Sequence, residues 1–165
     1  MTIITIPGPP RPWQRTTENR AGRRCDTARN KSQKEAVAWA ARAQRLLPVA
    51  KPAPVLMGVC VYLDPSDAHV AFPTRQADGD CDNYAKLVLD ALGKHRDIPG
   101  LAFDNDAQVV TGWQIKTWMR AGEHPRTVVY IAQWPERDIF ASTYWKLLLE
   151  IEPNMRGARP CTTLL

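Results

Sequence analysis

The sequence predicts an α/β domain of the α+β type, in which a small mixed β-sheet of about four strands is flanked by helices. Two observations lead to this fold class. Apolar runs with the period of strands alternate with stretches that have the period of helices, and a further pair of strands follows. In addition, 165 residues with 44% hydrophobic and 24% charged side chains suit a single globular domain with its own core.

The first part of the chain predicts a strand, an exposed arm and a helix. Residues 2–6 alternate as a short strand, which a proline-rich segment ends. Residues 11–30 are rich in arginine and poor in apolar side chains, which is typical of an exposed loop. A helix then begins at Ser32, which has a capping-box spacing to Glu35, and ends before Pro48. Its expected apolar stripe consists of Val37, Ala40, Ala41, Gln44 and Leu47.

The middle of the chain predicts three further strands and a second helix. Residues 55–63 form an apolar run rich in β-branched residues, which predicts a central strand. A helix over about residues 82–93 has an apolar stripe on one face. Residues 108–118 and 127–133 read as two strands, which the intervening turn could join as a hairpin. The stripe of this second helix consists of Tyr84, Leu87, Val88, Ala91 and Leu92.

These patterns define the expected domain organisation. Residues 1–133 form the main domain. Residues 134–152, with Pro135 in the first turn, predict a C-terminal helix that packs on the domain or at a dimer interface. Residues 153–165 are expected to be a flexible tail.

Composition excludes several classes of protein. The longest apolar run has nine residues, whereas a bilayer-spanning helix needs roughly 20, so no membrane association is expected. The first residues lack the pattern of a signal peptide. The four cysteines and three histidines are scattered, so we expect reduced thiols, a cytoplasmic location and no zinc site.

The distribution of charge indicates a polyanionic partner and an acidic site. Residues 1–51 contain eleven Lys or Arg and only three Asp or Glu, a balance of +8, which favours nucleic acid as the partner. Residues 78–106 contain seven Asp and no Glu. A solvated surface would be expected to use both acids, so this cluster calls for a chemical explanation.

A metal centre is the explanation that accounts for most of these aspartates. Asp80 and Asp82 are two residues apart and can share a face, and their repulsion is tolerated if a cation lies between them. Mg²⁺ prefers oxygen ligands, and a third carboxylate is available from Asp104 or Asp106. Lys86 follows Asp82 by one helical turn. Converging in one pocket, these groups would suit metal-assisted phosphodiester hydrolysis.

Three other interpretations remain open at this point. Asp82 or Asn83 could simply cap the helix, with Lys86 and Asp90 as an i,i+4 ion pair. Gln114-Ile115-Lys116 could be the Q-x-K of a restriction-endonuclease-like core, with Asp106 as its acid. A binding protein without catalytic activity that recognises branched DNA is the alternative from another functional class.

An ordered set of short motifs resembles the RusA-type Holliday-junction resolvases. That family carries D-x-D-N-x-x-K, then D-A-L, then D-D-x-Q-V, then a lysine on the following strand. The corresponding residues here are Asp80-Cys81-Asp82-Asn83-Tyr84-Ala85-Lys86, Asp90-Ala91-Leu92, Asp106-Ala107-Gln108-Val109 and Lys116. The strand that leads into Gly8-Pro9-Pro10 also looks like the family's start. Two departures are Asn105 in place of the first acid of D-D-x-Q-V, and Arg75 as the remainder of a basic run.

The resemblance implies a homodimer, bacterial or phage-encoded, that binds four-way DNA junctions and nicks two symmetry-related strands with Mg²⁺, which Mn²⁺ can replace. By position, Asp80, Asp82 and Asp106 match the family's metal-binding catalytic carboxylates, and Lys86 matches its catalytic lysine. We expect supporting residues around them and a set of basic residues that contact DNA. The supporting residues are Asn83, Asp104 and Gln108, and the DNA-contacting candidates are Arg11, Arg15, Arg23, Arg24, Arg75 and Lys116.

Overall fold

The fold is taken from a computed structural model of the chain. The structure describes residues 1–15, 17–18, 24–65, 73, 79–93, 100–119 and 122–133. The predicted helix over residues 134–152 and the predicted tail lie outside the described residues.

Four strands form one mixed sheet, as the sequence predicts. They are β1 (Thr2–Pro7), β4 (Val55–Leu63), β5 (Val109–Trp118) and β6 (Arg126–Gln133). Their order across the sheet is β1-β6-β4-β5, with β4 parallel to β5 and antiparallel to β6, and with β1 antiparallel to β6. Two further strands of two residues each, β2 (Thr17–Glu18) and β3 (Arg24–Cys25), pair within the arm that the sequence predicts to be a loop.

The hydrophobic core lies between the sheet and two helices. Eight of the nine positions of β4 are buried, which confirms the prediction of a central strand with exact bounds. Val59 and Val61 of β4 belong to the main core cluster, together with Ile4 of β1 and Val129 of β6. Because β4 is apolar on both faces, burial stabilises it only between two neighbouring strands.

The first helix, α1, spans Ala28–Ala43 and begins earlier than predicted. Thr27 is its N-cap and accepts a hydrogen bond from the Asn30 backbone N–H, so Ser32 lies inside the helix and does not start it. The helix also ends earlier, and Leu47 is 78% exposed. The predicted stripe is therefore wrong at Gln44, which is the C-cap, and at Leu47.

The second helix, α2, spans Cys81–Leu92, within one residue of the prediction at each end. Four residues of the predicted stripe are buried, and the fifth, Ala91, is half-buried. Within the described residues, neither helix is long and apolar enough to cross a bilayer. The amphipathic pattern alone was sufficient to place α2, because its apolar residues recur at helical spacing without interruption.

The predicted hairpin of the last two strands is wrong. Strand β4 lies between β5 and β6, and residues 119–125 connect the end of one neighbour to the start of the other. The physical reason is burial: β4 is apolar at every position that faces either layer, so it takes the centre of the sheet and separates two strands that are adjacent in sequence.

Candidate active site

Two carboxylates lie at the N-terminus of α2. Asp80 occupies the N-cap position in an extended conformation, but its side chain makes no capping hydrogen bond. Asp82 lies in the first turn, and both residues are exposed. The Asn83 side-chain amide is 3.5 Å from the Asp80 carboxylate. The helix-capping interpretation of Asp82 and Asn83 is therefore wrong, since neither occupies the cap.

Lys86 lies one turn beyond Asp82 and points towards the N-terminal arm. Its ammonium is 5.4 Å from the centroid of the Trp13 ring, a cation–π contact. The Trp13 backbone N–H donates to the Asn83 carbonyl at 3.0 Å, so the arm is joined to the first turn of α2. Trp13 was not predicted as a site residue, because its partners come from a distant part of the chain.

A second lysine reaches the same end of α2 from the sheet. The Lys116 ammonium, on β5, donates to the backbone carbonyl of Gly79, the residue before Asp80. Gly79 has a φ of 69°, in the left-handed region that favours glycine. The turn that presents Asp80 is thus held from the sheet by Lys116, which we expected to contact DNA.

Asn30 fixes the arm from the other side, although the sequence does not predict it as a site residue. It is fully buried in α1. Its amide donates to the Gln14 carbonyl at 2.8 Å and accepts from the Gln14 N–H at 3.0 Å. Because both the nitrogen and the oxygen of this buried amide are hydrogen-bonded, Asn30 holds Gln14 of the arm beside α1. Nothing in the sequence distinguishes this asparagine from an exposed one.

The segment that carries Asp106 is a short 3₁₀ turn, Asp106–Gln108, with a capping box. The Asn105 side chain accepts from the Ala107 N–H at 2.9 Å. Buried Gln108 accepts from the Asp104 N–H at 2.9 Å and donates to the Ala53 carbonyl at 3.1 Å. Through these two hydrogen bonds, Gln108 supports the segment that carries Asp106. This also explains the departure from the family motif at Asn105, because Asn and Asp are equally good helix caps.

Asp104 and Asp106 differ in their surroundings. The Asp104 carboxylate forms an ion pair with Lys51 at 3.5 Å, with both side chains about half exposed. Asp106 is exposed, and within the described part of the chain its carboxylate makes no ion pair or hydrogen bond. Of these two acids, Asp106 is the one that is available to a cation.

The three predicted metal ligands do not converge within one chain. The Asp106 carboxylate lies beside Gly93, 3.7 Å from where a Cβ there would be, and Gly93 follows the last residue of α2. Asp80 and Asp82 lie at the other end of that helix, which is about 18 Å long at 1.5 Å per residue. Among the described residues, no three acidic, histidine or cysteine side chains could bind one metal ion. The expectation of a complete pocket in one chain is therefore wrong.

Asp90, on the same helix, has a structural role. Lys34 of α1 lies between two carboxylates, at 2.8 Å from Asp26 and 3.1 Å from Asp90. Burial alone would lower the pKa of Lys34, but the two carboxylates outweigh it and raise that pKa above its ordinary value. The predicted ion pair of Asp90 is thus made with Lys34 from α1.

The basic candidates are only partly described. Arg11 and Arg15 are exposed in the arm that contacts α2 through Trp13. Arg24 lies in β3. Arg23 and Arg75 lie outside the described residues.

The restriction-endonuclease-like interpretation requires Asp106 and Lys116 in one site. Asp106 precedes β5, and Lys116 lies near its end. Val109 and Lys116 are seven positions apart, which corresponds to about 23 Å along an extended strand. One chain therefore does not bring the two groups together in the way that this motif requires.

The comparisons with known proteins agree with the motif order. A family model described as Endodeoxyribonuclease RusA matches residues 7–132 of the 165. No protein in a search of curated proteins matches the chain. The family match covers the arm, both helices and the strands β4, β5 and nearly all of β6, including both separated acidic groups. On the strength of this match over most of its length, the chain belongs to the RusA endodeoxyribonuclease family.

Proposed function

We propose that the protein is a Mg²⁺-dependent endodeoxyribonuclease that resolves four-way DNA junctions as a homodimer. The family match carries the assignment to nuclease activity. The chemistry is supported by exposed carboxylates at the N-terminus of α2, with Lys86 one turn away. A junction with two-fold symmetry presents two equivalent phosphates, which suits a symmetric dimer with two sites.

Each site is assigned residues from both protomers. Asp80 and Asp82 of one protomer would bind a cation, and the partner's Asp106 would complete its set of ligands. This division follows from the separation of the acids by the length of α2, together with the exposure of the Asp106 carboxylate. The donor set consists of carboxylate oxygens, which fits Mg²⁺ or Mn²⁺ and does not fit a soft metal.

The residues then have separate roles in hydrolysis. Asp80, Asp82 and the partner's Asp106 would hold the metal ion. When bound, this ion supplies Lewis-acid stabilisation of charge on the phosphate and lowers the pKa of water. Lys86, one helical turn after Asp82, would stabilise negative charge that develops on the phosphate oxygens. In the hydrolysis, the water oxygen would bond to phosphorus and lose a proton as the P–O3′ bond breaks, and O3′ would take up a proton, which leaves a 5′-phosphate and a 3′-hydroxyl.

The basic arm is assigned the contacts to the DNA backbone. Arg11 and Arg15 are exposed on either side of Trp13, which contacts Lys86. Phosphates held there would lie next to the acidic group, and Arg23, Arg24 and Arg75 remain further candidates. Junction affinity should fall steeply with salt, and each phosphate contact that is lost should reduce the slope of log affinity against log salt by about 0.9.

The first experiment separates a nuclease from a binding protein. Wild type, Asp82→Asn and the control Asp104→Asn are incubated with a four-way junction, a linear duplex and a flap, with and without Mg²⁺. We expect Asp82→Asn to lose cleavage by roughly 100-fold or more and to keep junction binding. Asp104→Asn should cut normally, because Asp104 only pairs with exposed Lys51. A wild type that binds the junction but never nicks it with Mg²⁺ or Mn²⁺ would identify a binding protein.

The second experiment tests whether each site is shared. Asp82→Asn and Asp106→Asn are each expected to be inactive alone. Mixed after unfolding and refolding together, they form a heterodimer in which one site has both mutations and the other has none. A 1:1 mixture should recover about a quarter of wild-type nicking, since half of the dimers are mixed and each has one intact site. No recovery would mean that both acids act within the same chain.

A further inference from the structure

Lys86 lies between two aspartates of its own helix. Asp82 precedes it by four residues and Asp90 follows it by four, which is the spacing at which side chains on a helix form ion pairs. Within the described part of the chain, the Lys86 ammonium nevertheless makes no ion pair or hydrogen bond with either carboxylate. The absence of both pairs requires a physical cause.

Asp90 is engaged by the first helix instead. The Lys34 ammonium of α1 lies 3.1 Å from the Asp90 carboxylate and 2.8 Å from that of Asp26. These three side chains are between 19% and 29% exposed, whereas Lys86 is exposed. Solvent and salt screen a partly buried pair less than an exposed one, so Asp90 pairs with Lys34 in preference to Lys86.

The ring of Trp13 takes the place of a carboxylate beside Lys86. Its centroid is 5.4 Å from the ammonium, which is within the range of a cation–π contact. The attraction comes from the quadrupole of a neutral ring, so it holds the lysine without cancelling its charge. An ion pair with Asp82 would cancel both charges, and would remove one proposed metal ligand and one proposed phosphate contact together.

The position of the ring is fixed by the fold. The Trp13 backbone N–H donates to the Asn83 carbonyl at 3.0 Å, in the first turn of α2. On one side, Pro12 Cγ is 2.8 Å from where a Cβ at Gly79 would be. On the other side, Gln14 is anchored to α1 by its two hydrogen bonds. The Trp13 side chain also packs against the hydrophobic core, so its place does not depend on the lysine.

We propose that Trp13 is a positioning residue for the lysine assigned to catalysis. Its ring keeps the Lys86 ammonium away from Asp82, which leaves the lysine for the phosphate and the carboxylate for the cation. Lys34 contributes to the same end, because it occupies the other competing acid, Asp90. Trp13 acts through Lys86 and is assigned no contact with the reacting phosphate. This inference deepens the proposed function and rests on it.

A double-mutant cycle on the full-length protein tests the coupling. Junction cleavage in Mg²⁺ is measured for wild type, Trp13→Leu, Lys86→Gln and the double variant. Loss of a cation–π contact corresponds to about 2- to 5-fold in rate, and competition by Asp82 adds about twofold. Trp13→Leu should therefore reduce cleavage by about 4- to 10-fold. In the Lys86→Gln background, the same substitution should change the residual cleavage by less than about twofold.

Two control variants separate the role of the ring from general packing. Trp13→Phe keeps an aromatic face, although one that attracts a cation more weakly, and should recover most of the cleavage that Trp13→Leu loses. Trp39→Leu makes the same change at a tryptophan that is 65% exposed on α1, and should cut as wild type does. Circular dichroism and thermal unfolding check that every variant is folded.

Nuclear magnetic resonance reports the contact without measuring cleavage. Protons that lie over the face of an aromatic ring are shifted upfield by its ring current. In protein labelled with ¹³C-lysine, the Lys86 ε-methylene signal is assigned by its loss in Lys86→Gln. This signal should lie upfield of the ordinary range for lysine in the wild type, and should return to that range in Trp13→Leu.

The outcomes separate this inference from the proposed function. The positioning role is overturned if the wild type shows no upfield shift, if Trp13→Leu cuts as wild type does, or if it loses cleavage equally with and without Lys86. If the upfield shift is present but the wild type never nicks a junction, the proposed function fails, while the orientation of Lys86 by Trp13 stands.

Discussion

Replacing Asn30 with alanine should release the N-terminal arm from α1. Asn30 is fully buried and makes two hydrogen bonds with the backbone of Gln14. Each bond contributes about 1 kcal/mol net, and the half-buried N–H and C=O of Gln14 also lose their partners. We therefore expect Asn30→Ala to lower the free energy of unfolding by about 2–3 kcal/mol. That is a large fraction of the roughly 5–15 kcal/mol of a typical domain.

Urea denaturation measures this change. With a slope of about 2 kcal/mol per M, the midpoint should fall by about 1–1.5 M at unchanged slope. Hydrogen exchange supplies a local measurement, because the Gln14 amide should exchange faster in the variant under native conditions. Ser32→Ala, on the exposed face of the same helix, is the matched control and should stay within about 0.5 kcal/mol of wild type. A loss below about 0.5 kcal/mol in Asn30→Ala, with unchanged exchange at Gln14, would refute the anchoring role.

Three further changes follow from single contacts. Asn105→Asp should retain both stability and cleavage, because aspartate can also cap the turn that carries Asp106. Asn105→Ala should lower the free energy of thermal unfolding by about 1 kcal/mol and should also lose cleavage, because Asp106 shifts. Equal behaviour of the two variants would contradict this. Burial raises the pKa of Tyr130 to about 12 from 10.0, so the folded state keeps that proton and the unfolding free energy should fall between pH 10 and 12. Tyr130→Phe should reduce this loss and remove the late step from an absorbance titration of the tyrosines, and an unchanged titration would be inconsistent with burial. Gly112→Ala should unfold at much lower temperature, because its Cβ would collide with the backbone carbonyl of Met57 on β4, and a melting temperature close to wild type would count against that packing.

Local patterns predicted those elements whose stability depends on one uninterrupted apolar signal. Strand β4 is apolar throughout, and α2 has a continuous stripe, so both were located within one residue. The start of α1 was displaced because two capping signals compete there. Thr27 caps the helix, while the spacing of Ser32 and Glu35 imitates a capping box inside it.

Strand order could not be read from the sequence, since adjacency in the chain favours a hairpin of β5 and β6. The deciding quantity is the burial of β4, which requires two strand neighbours, and burial is a property of the assembled sheet. The anchoring of the arm by Asn30 and the contact of Lys86 with Trp13 depend on the same assembly. Such contacts join residues that are far apart in the chain, and no periodic pattern in the sequence indicates that these residues will meet.

The separation of the acids shows why a motif can identify residues and still not place them. The family motifs group Asp80, Asp82 and Asp106 as one set of ligands. In the structure, α2 separates the first two from Asp106, and α2 must stay helical to bury its apolar stripe from Tyr84 to Leu92. A helix of that length keeps its ends about 18 Å apart, so the ligands cannot meet unless the chain unfolds or a second copy supplies one of them. Unfolding α2 would expose four buried stripe residues, at a cost of several kcal/mol, roughly 1.5–3 for each large apolar side chain. A second copy that supplies Asp106, as proposed above, would complete the set of ligands while α2 stays folded.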